Sequence, residues 1–594
     1  MDKIDILRAW MRREGMDGFI IPSGDNHFNE YTQRYFACRE WISCFSGSAG
    51  TVVITLEQAA LWTDSRYFVQ AAEQIEGTGI ELMKMKIAGT PSITEWLKSI
   101  LPAGAKVGLD ATLFSISDYD NLKEELLPLS LSISDDPFNV VWEDRPPVKF
   151  EKIRRVPAEI AGVGTEEKRA LLKSKLSINS GEKFAYILST CDDIAWLCNI
   201  RGEDIAYNPL AMSFAVITDK AVELFVGSGA VADELSDELA GEGIVLREYC
   251  EFENYIKTLD RDYTIFLTPG KVALKYYNLI AERVGNIVYD TIPGGVVASL
   301  KAVKNDIEIE GFRKAMVMDG VAWVKLWMFL ERELESGSDV VTESKLAACL
   351  IRFRSECKEY QGESFSPIVA YGKNGALPHY SPKGEVTISR DNLLLIDSGA
   401  QYLYGTTDTT RTFAIGNITA EQRRDYTSVL KGMIALSRAV FPKGTRGSAL
   451  DMLARGPICS AGKLYLHGTG HGVGHNLCVH EGPQSIRMED NPVAFMPGMV
   501  TSNEPAIYVE GEYGIRIENL ILCVLKESNS FGDFYGFETL TYVPIDKSVI
   551  DKELLGSDSL EWLNRYHSEV YCKLSPFLSE QERGWLAGKC SDLR

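Results

Sequence analysis

No run of about 18 apolar residues occurs in the 594-residue chain, which excludes a membrane-spanning helix of ordinary length. There is no Cys-x-x-Cys pair among the twelve cysteines, which argues against a thiolate metal site, a thioredoxin-like motif or a disulfide framework. Positive charge is in deficit. The 62 Lys and Arg against 83 Asp and Glu leave a net charge of -21, whereas nucleic acid and anionic membranes both call for a cationic surface. The opening residues, MDKIDILRAWMRREGMDG, read as a charged amphipathic helix without the apolar core of a signal peptide. These absences predict a soluble cytoplasmic protein with reduced thiols, and neither nucleic acid nor membrane as its partner. Histidine is scarce too. Five of the seven lie between residues 379 and 480, namely His379, His467, His471, His475 and His480, and such crowding suggests a site.

The chain is too long for a single core, so roughly two to four domains are expected. Two segments echo each other. The first runs GFIIPSGD (18–25), WISCFSG (41–47), TVVIT (51–55), AALWTDSR (59–66) and an amphipathic helix at YFVQAAEQ. The second runs FAYILSTCDD (184–193), WLCNIRG (196–202), FAVIT (214–218), AVELFVGS (221–228) and a helix near AVADELSDEL. Blocks agreeing in order at a spacing of roughly 160 residues read as a duplicated α/β unit. Linkers are expected near 140–157, where VWEDRPPVKF carries adjacent prolines, and near 291–303, at TIPGGVVASLKAVK. The domains predicted are 1–155, its duplicate 156–302, and a larger α/β (α+β) domain over 303–594 that carries the chemistry and ends in a C-terminal extension. Asn305, with Glu308 placed for a capping box, predicts the start of a long helix bearing Ile309, Phe312, Met316 and Trp323 at helical spacing.

Within that last domain the order of acids is informative. NLLLID ends a buried strand at Asp397, and TTDTTRTF (406–413) places Asp408, Thr410 and Thr412 on one face by alternation. A hairpin centred on Tyr402 and Leu403 would set Asp397 opposite Asp408, with Cβ atoms about 5 Å apart. Tyr-Leu is a poor two-residue turn, which points to a longer loop. In MVTSNEP, Glu504 is expected to be the last residue of a strand that Pro505 ends. In GIRIEN, Ile515 and Ile517 face one way, and Arg516 and Glu518 the other. Taken singly, each of these acids has an ordinary reading as a turn former or a solvated charge. Taken together with an intervening histidine they form a set. Four crowded carboxylates repel one another and take up protons unless cations balance them. Two divalent ions would do so, and a hydroxide bridging them would be the activated nucleophile. Oxygen-rich ligation with one imidazole favours manganese or a similar ion over a pure zinc site, with cobalt or zinc also compatible.

HGTGHGVGH invites reading His471 and His475 as a helical zinc pair, but glycines at 468, 470, 472 and 474 argue for an irregular or extended loop. Physical reasoning leaves open which histidine is the ligand; the others would orient substrate or stabilise developing charge. His27 and His567 read as ordinary polar positions.

These residues resemble those of the metal-dependent aminopeptidases of the pita-bread fold, and within them the three-domain Xaa-Pro aminopeptidases. The matching stretches are IIPSGD, CFSGSAGTVVIT, LWTDSRYFVQAA, IDSGAQYLYGTTDTTRT, HGTGHGVGH, VHEGPQSIR, TSNEPAIYVEGEYGIRIEN, FETLTYVPID and EWLNRYH, spread over nearly the whole chain. The resemblance implies two creatinase/prolidase-type N-terminal α/β domains followed by a pita-bread catalytic domain. It implies that Asp397 holds one ion, that Asp408 and Glu518 bridge, and that His471 and Glu504 hold the other. Glu504 is then also the general base. His379, His467 and His480 would line the substrate cleft and support the scissile carbonyl, with Arg516 near the metals and the substrate pocket. His475 stands where similar enzymes have a small residue, and filling space is favoured for it over adding a cleft donor. The implied reaction is hydrolytic removal of an N-terminal residue that precedes proline, by a homodimer in which a neighbouring subunit's first domain helps wall the cleft.

Three rivals share the fold: a prolidase-type Xaa-Pro dipeptidase, a methionine aminopeptidase and a non-catalytic peptide-binding module. A methionine aminopeptidase does not need two extra N-terminal domains. The binding module, like metal-free creatinase-type chemistry, is disfavoured because all five ligand positions are filled.

Overall fold

The computed structural model describes residues 3–336, 341–382, 384 and 386–593. The chain forms two compact units, one of Met1–Pro157 with Val163–Val297 and the other of Ala158–Gly162 with Ala298–Arg594.

The first unit contains the same sheet twice. In one, the strands lie in the order Glu81–Lys84, Ala59–Thr63, Thr51–Thr55, Gly18–Pro22, Lys106–Asp110, Ser130–Ser134. In the other the order is Ile244–Glu248, Val222–Val226, Phe214–Thr218, Phe184–Leu188, Thr264–Leu267, Ile287–Tyr289. Parallel and antiparallel pairings follow the same sequence in both. The inner strands are largely apolar and buried because helices cover both faces, while the edge strands Glu81–Lys84, Ser130–Ser134 and Ile244–Glu248 carry exposed polar residues. Phe19, Ile21, Val52 and Ile54 pack on one side with Leu7 and Met11 of the helix Lys3–Glu14. Ile20, Val53 and Trp62 pack on the other side with Trp96 and Leu97 of the helix Ile93–Ile100. Met1 and Asp2, part of the N-terminal helix expected from sequence, lie outside the described residues. The expected helices at 67–74 and 230–239 form as Phe68–Gln74 and Asp233–Gly241. The second expected linker is not all loop. After Pro293 and two left-handed glycines, Val296–Ala302 is a helix, since Val296, Val297, Ala298 and Ala302 all find buried positions.

The second unit opens with the 30-residue helix Asp306–Glu335. Asn305 caps it and Glu308 closes the capping box, as its sequence dictates. Phe312, Met316 and Trp323 are buried along it, and Ile309 packs at the edge of the core. A six-stranded sheet has the order Val440–Pro442, Gly532–Thr539, Asn519–Asn529, Val500–Asn503, Gly470–Gly472, Glu481–Ile486. A three-stranded sheet joins Ile368–Tyr371, Asn392–Asp397 and Thr410–Ile415, and a hairpin joins Ala506–Val509 to Tyr513–Arg516.

Three local expectations are corrected here. The turn is centred one step later than expected, with Gln401 opposite Thr406, so Asp397 faces Thr410 and not Asp408. Asp408 lies on a break between the strands Gly405–Thr406 and Thr410–Ile415, not within one strand. The break follows from Gly399, where a Cβ would stand 1.9 Å from the Thr407 carbonyl oxygen; only glycine lets the two acid-bearing turns touch. Finally, the strand before Glu504 ends at Asn503, and the strand pairing pauses at Ile517 and Glu518.

Candidate metal centre

The five residues singled out from sequence arrive from five pieces of main chain, three of which meet at Thr410. Asp397 is directly across the strand pair from it. Asp408 precedes it by two residues, beyond the end of the strand, and its charge bears on Asp397. Glu518 donates its backbone N–H to the Thr410 carbonyl, and its Oε2 accepts from Thr410 Oγ1 at 2.7 Å. Thr412, on the same face as Thr410, accepts from Arg516 N and donates to Arg516 O, holding the next strand alongside.

The fourth piece is the glycine-rich loop. It is extended and not helical: Gly470–Gly472 pairs with Glu481–Ile486 and Val500–Asn503. A Cβ at Gly470 would stand 2.0 Å from the Ser502 carbonyl oxygen, so the glycine permits the approach that sets His471 beside the acids. His471 Nδ1 lies 3.0 Å from the Gly472 carbonyl, which can only accept; a proton therefore sits on Nδ1, and Nε2 is aimed inward at the acids. Nε2 is 3.5 Å from Asp408 Oδ2 and 3.4 Å from Glu504 Oε1. Glu504 is held by Ser502 Oγ, which donates to Oε1 and itself accepts from His471 N.

Ligand atoms of Asp408, His471 and Glu518 lie within 4.8 Å of one another. The arrangement is electrostatically costly without cations. Burial and the neighbouring charges of Asp408, Glu504 and Asp397 push the Glu518 carboxyl well up. Burial, with Asp408 and Asp397, lifts Glu504 to about 6 against the pull of His471 and Arg516. Burial raises Asp397 as well, with Arg516 opposing and Asp408 assisting. For His471, burial disfavours the imidazolium, but the hydrogen bond to Asp408 and the charges of Glu504 and Asp408 outweigh it and lift the group to about 9. Two buried carboxylate oxygens, Asp397 Oδ1 and Glu518 Oε1, have no hydrogen-bond partner among the described residues. Unsatisfied hard oxygens beside an inward-facing imidazole nitrogen fit divalent cations.

The remaining sequence candidates surround this centre. Arg516 Nη2 donates to Asp397 Oδ2 and to the Pro378 carbonyl, next to half-buried His379. His467 Nε2 pairs with Tyr508 Oη at 3.0 Å, and Arg516 Nη1 donates to the same hydroxyl. The His480 ring stands edge-on to His471 with centroids 4.4 Å apart. His475 is buried against Phe312 and Gly311 of the long helix. His27 and His567 are fully buried in hydrogen-bonded positions. Ser502 and Tyr508 were not singled out from sequence. Tyr508 could have been: Tyr508 faces Gly514 across the EGE turn, so alternation puts it diagonally beside Arg516.

Known proteins resemble this chain along its whole length. Residues 310–524 match the model of metallopeptidase family M24, and 533–593 the C-terminal region of peptidase M24. Residues 3–135 and 144–308 match two models of the creatinase/prolidase N-terminal domain. The probable Xaa-Pro aminopeptidase P of Coprinopsis cinerea is 38% identical over 98% of this chain and 96% of its own length. This chain belongs to the Xaa-Pro aminopeptidase P family of M24 metallopeptidases. A solved member, the X-prolyl aminopeptidase of Caenorhabditis elegans, is described as a cytosolic enzyme with a di-nuclear active site. It superposes with a TM-score of 0.94 at 34% identity, covering 100% of this chain and 99% of its own. The Xaa-Pro dipeptidase of Bacillus anthracis shares the fold alone, with a TM-score of 0.51 at 23% identity over 64% of this chain and 99% of its own. The chain therefore joins two creatinase-type N-terminal domains to a pita-bread domain.

Proposed function

We propose that this M24 metallopeptidase hydrolyses the bond between an N-terminal residue and a following proline, using two divalent cations held by Asp397, Asp408, His471, Glu504 and Glu518. The convergence of Asp408, His471 and Glu518 around orphaned carboxylate oxygens carries the reading. Support for two ions comes from the C. elegans relative. By the family resemblance Asp397 would hold one ion, His471 and Glu504 the other, and Asp408 and Glu518 would serve both. The oxygen-rich donor set suits manganese first, with cobalt or zinc also fitting. When bound, the pair supplies Lewis acidity to the scissile carbonyl and to an attacking water.

The chain's own groups do the rest. Glu504, oriented by Ser502, takes the proton of the water as its oxygen adds to the carbonyl carbon. The same proton passes to the prolyl nitrogen as the C–N bond breaks, because a secondary amine leaves far more easily than its anion. His379, His467 and His480 line the cleft and hold the carbonyl and the tetrahedral intermediate. Arg516 fixes Asp397 and, through Tyr508, His467. A proline nitrogen offers no N–H, so selection rests on ring shape. The substrate's α-ammonium is drawn to the acid cluster.

Metal analysis of the purified protein, with cleavage of Xaa-Pro-Yaa and Xaa-Pro peptides with and without chelator, tests the proposal. Two ions per chain and chelator-sensitive cleavage of the tripeptide are expected. Cleavage of the dipeptide alone would make the protein a prolidase; turnover indifferent to complete metal removal would end the metal reading. We place the enzyme in the cytoplasm, in keeping with its relative and its acidic composition, and propose a homodimer on the family resemblance. Domain limits near 155 and 302 are proposed on the repeated sheet order.

A further inference from the structure

Directly behind the acid cluster lies a residue that the reaction does not use. Arg411 is 1% exposed and spends all its donors on oxygen dipoles. Nη1 donates to the carbonyls of Thr410 at 2.8 Å and Glu518 at 2.5 Å. Nη2 donates to Asn519 Oδ1, the Val543 carbonyl and Tyr566 Oη, and Nε to the Pro544 carbonyl. The first two acceptors belong to the residue where the acid-bearing strands meet and to an acid itself. The last three belong to the C-terminal extension.

That extension is built to present them. Tyr566 and His567 sit in the helix Ser557–Leu574. Tyr566 Oη donates to the Val543 carbonyl at 2.7 Å and accepts from Arg411, and His567 Nε2 accepts from Ile545 N. The Trp562 ring stacks on that of Tyr566 with centroids 5.2 Å apart. The segment 541–546 is thus pinned to the helix on one side and to the guanidinium on the other. A guanidinium buried among carbonyls is expensive to keep, so its retention calls for a role.

We propose that Arg411 is a positioning residue through which the C-terminal extension sets the metal centre: the helix bearing Tyr566 fixes Arg411, and Arg411 fixes the main chain at Thr410 and Glu518 so that the Glu518 and Asp408 carboxylates face the ions. The inference rests on the dinuclear reading above. Residues that orient metal ligands from behind typically govern affinity by about 10- to 100-fold when altered.

The test uses the full chain and Mn2+ titrated into chelated protein, followed by calorimetry, with thermal unfolding of the metal-free form alongside. Tyr566→Phe keeps the ring stack and removes one acceptor; Arg411→Lys keeps the charge and loses the fork. Val570→Ala, a buried position on the same helix, is the control for general loosening. Mn2+ affinity is expected to fall about tenfold in Tyr566→Phe and further in Arg411→Lys. Val570→Ala should lower the metal-free melting temperature at least as much as Tyr566→Phe while holding Mn2+ within twofold of the parent. If Arg411→Lys does not fold, Tyr566→Phe decides alone. Parent affinity in a folded Tyr566→Phe, or an equal loss in Val570→Ala, would reduce the extension to a cover and overturn the inference. A parent chain that binds no Mn2+ would instead overturn the dinuclear reading.

Discussion

Arg516 bonds Asp397 with one arm of its guanidinium and Tyr508 with the other, and Tyr508 in turn bonds His467. A single buried cation thus connects a candidate metal ligand to a candidate substrate-cleft histidine. Only a planar, forked donor spans both partners at once. Arg516→Lys is therefore expected to lower kcat/KM by about 10- to 100-fold, the loss of one charge-assisted hydrogen bond. Steady-state kinetics of the metal-loaded variant checks this, and a loss below threefold would mean that the second arm is idle.

The titrating groups of the centre predict a pH-dependent response to metal. In the metal-free protein His471 has its pKa raised to about 9 and Glu504 to about 6. Both shifts favour the protonated form in the fold. Their contribution to stability is present below the ordinary values of 6.5 and 4.5 and is lost as pH rises through about 9 and about 6. Cations require the deprotonated groups and reverse this. The gain in melting temperature on adding Mn2+ should therefore grow between about pH 5 and pH 9. Titrations in buffers of different ionisation heat should show proton release near neutral pH. A gain independent of pH would exclude His471 from the ligand set.

Asp408 lies on the break between two strands and not in a ladder, so its side chain supports no local pairing. Asp408→Ala should abolish retention of both ions and all turnover. Because the charge it removes is one that raises the pKa values of Asp397, Glu504 and Glu518, the metal-free melting temperature should hold or rise. Atomic absorption with circular dichroism reads both. A variant that keeps two ions and normal turnover would contradict the bridging assignment.

A second buried arginine, Arg354, pairs with Asp319 and Glu363 and also donates to Ser398 and to the Gly399 carbonyl, in the turn that follows Asp397. Arg354→Met strands two buried acids. The expected cost is about 3–5 kcal/mol. Adding Asp319→Leu should recover part of it. Denaturant unfolding of the catalytic unit measures both changes, and a double variant no more stable than the single one would show that the cost lies in the turn and not in the stranded charge.

Several features were legible before any fold was known because they depend on neighbours a few residues away. Asn305 and Glu308 announce the long helix through a capping box that closes within one turn. Alternation put Arg516 and Glu518 on one side and Ile515 and Ile517 on the other, and both isoleucines are in the core. The glycines of HGTGHGVGH ruled out a helix, and the loop is extended. Other features depended on how the strands pair. The Asp397 register missed by one step because the turn lies at Leu403 and Tyr404, and nothing in NLLLID or TTRTF distinguishes the two alignments.

By itself the sequence determined which residues are candidates for chemistry and that Arg516 and Glu518 turn away from Ile515 and Ile517, since period-two alternation, caps and glycine content are short-range properties of the chain. Only the tertiary structure decided what each of them meets. Asp397 is set across from Thr410, Tyr508 between His467 and Arg516, and Arg411 between Glu518 and the C-terminal helix. Those contacts come from strand crossings and close main-chain approaches, whose energies depend on the packing of the whole domain and leave no local periodicity to read.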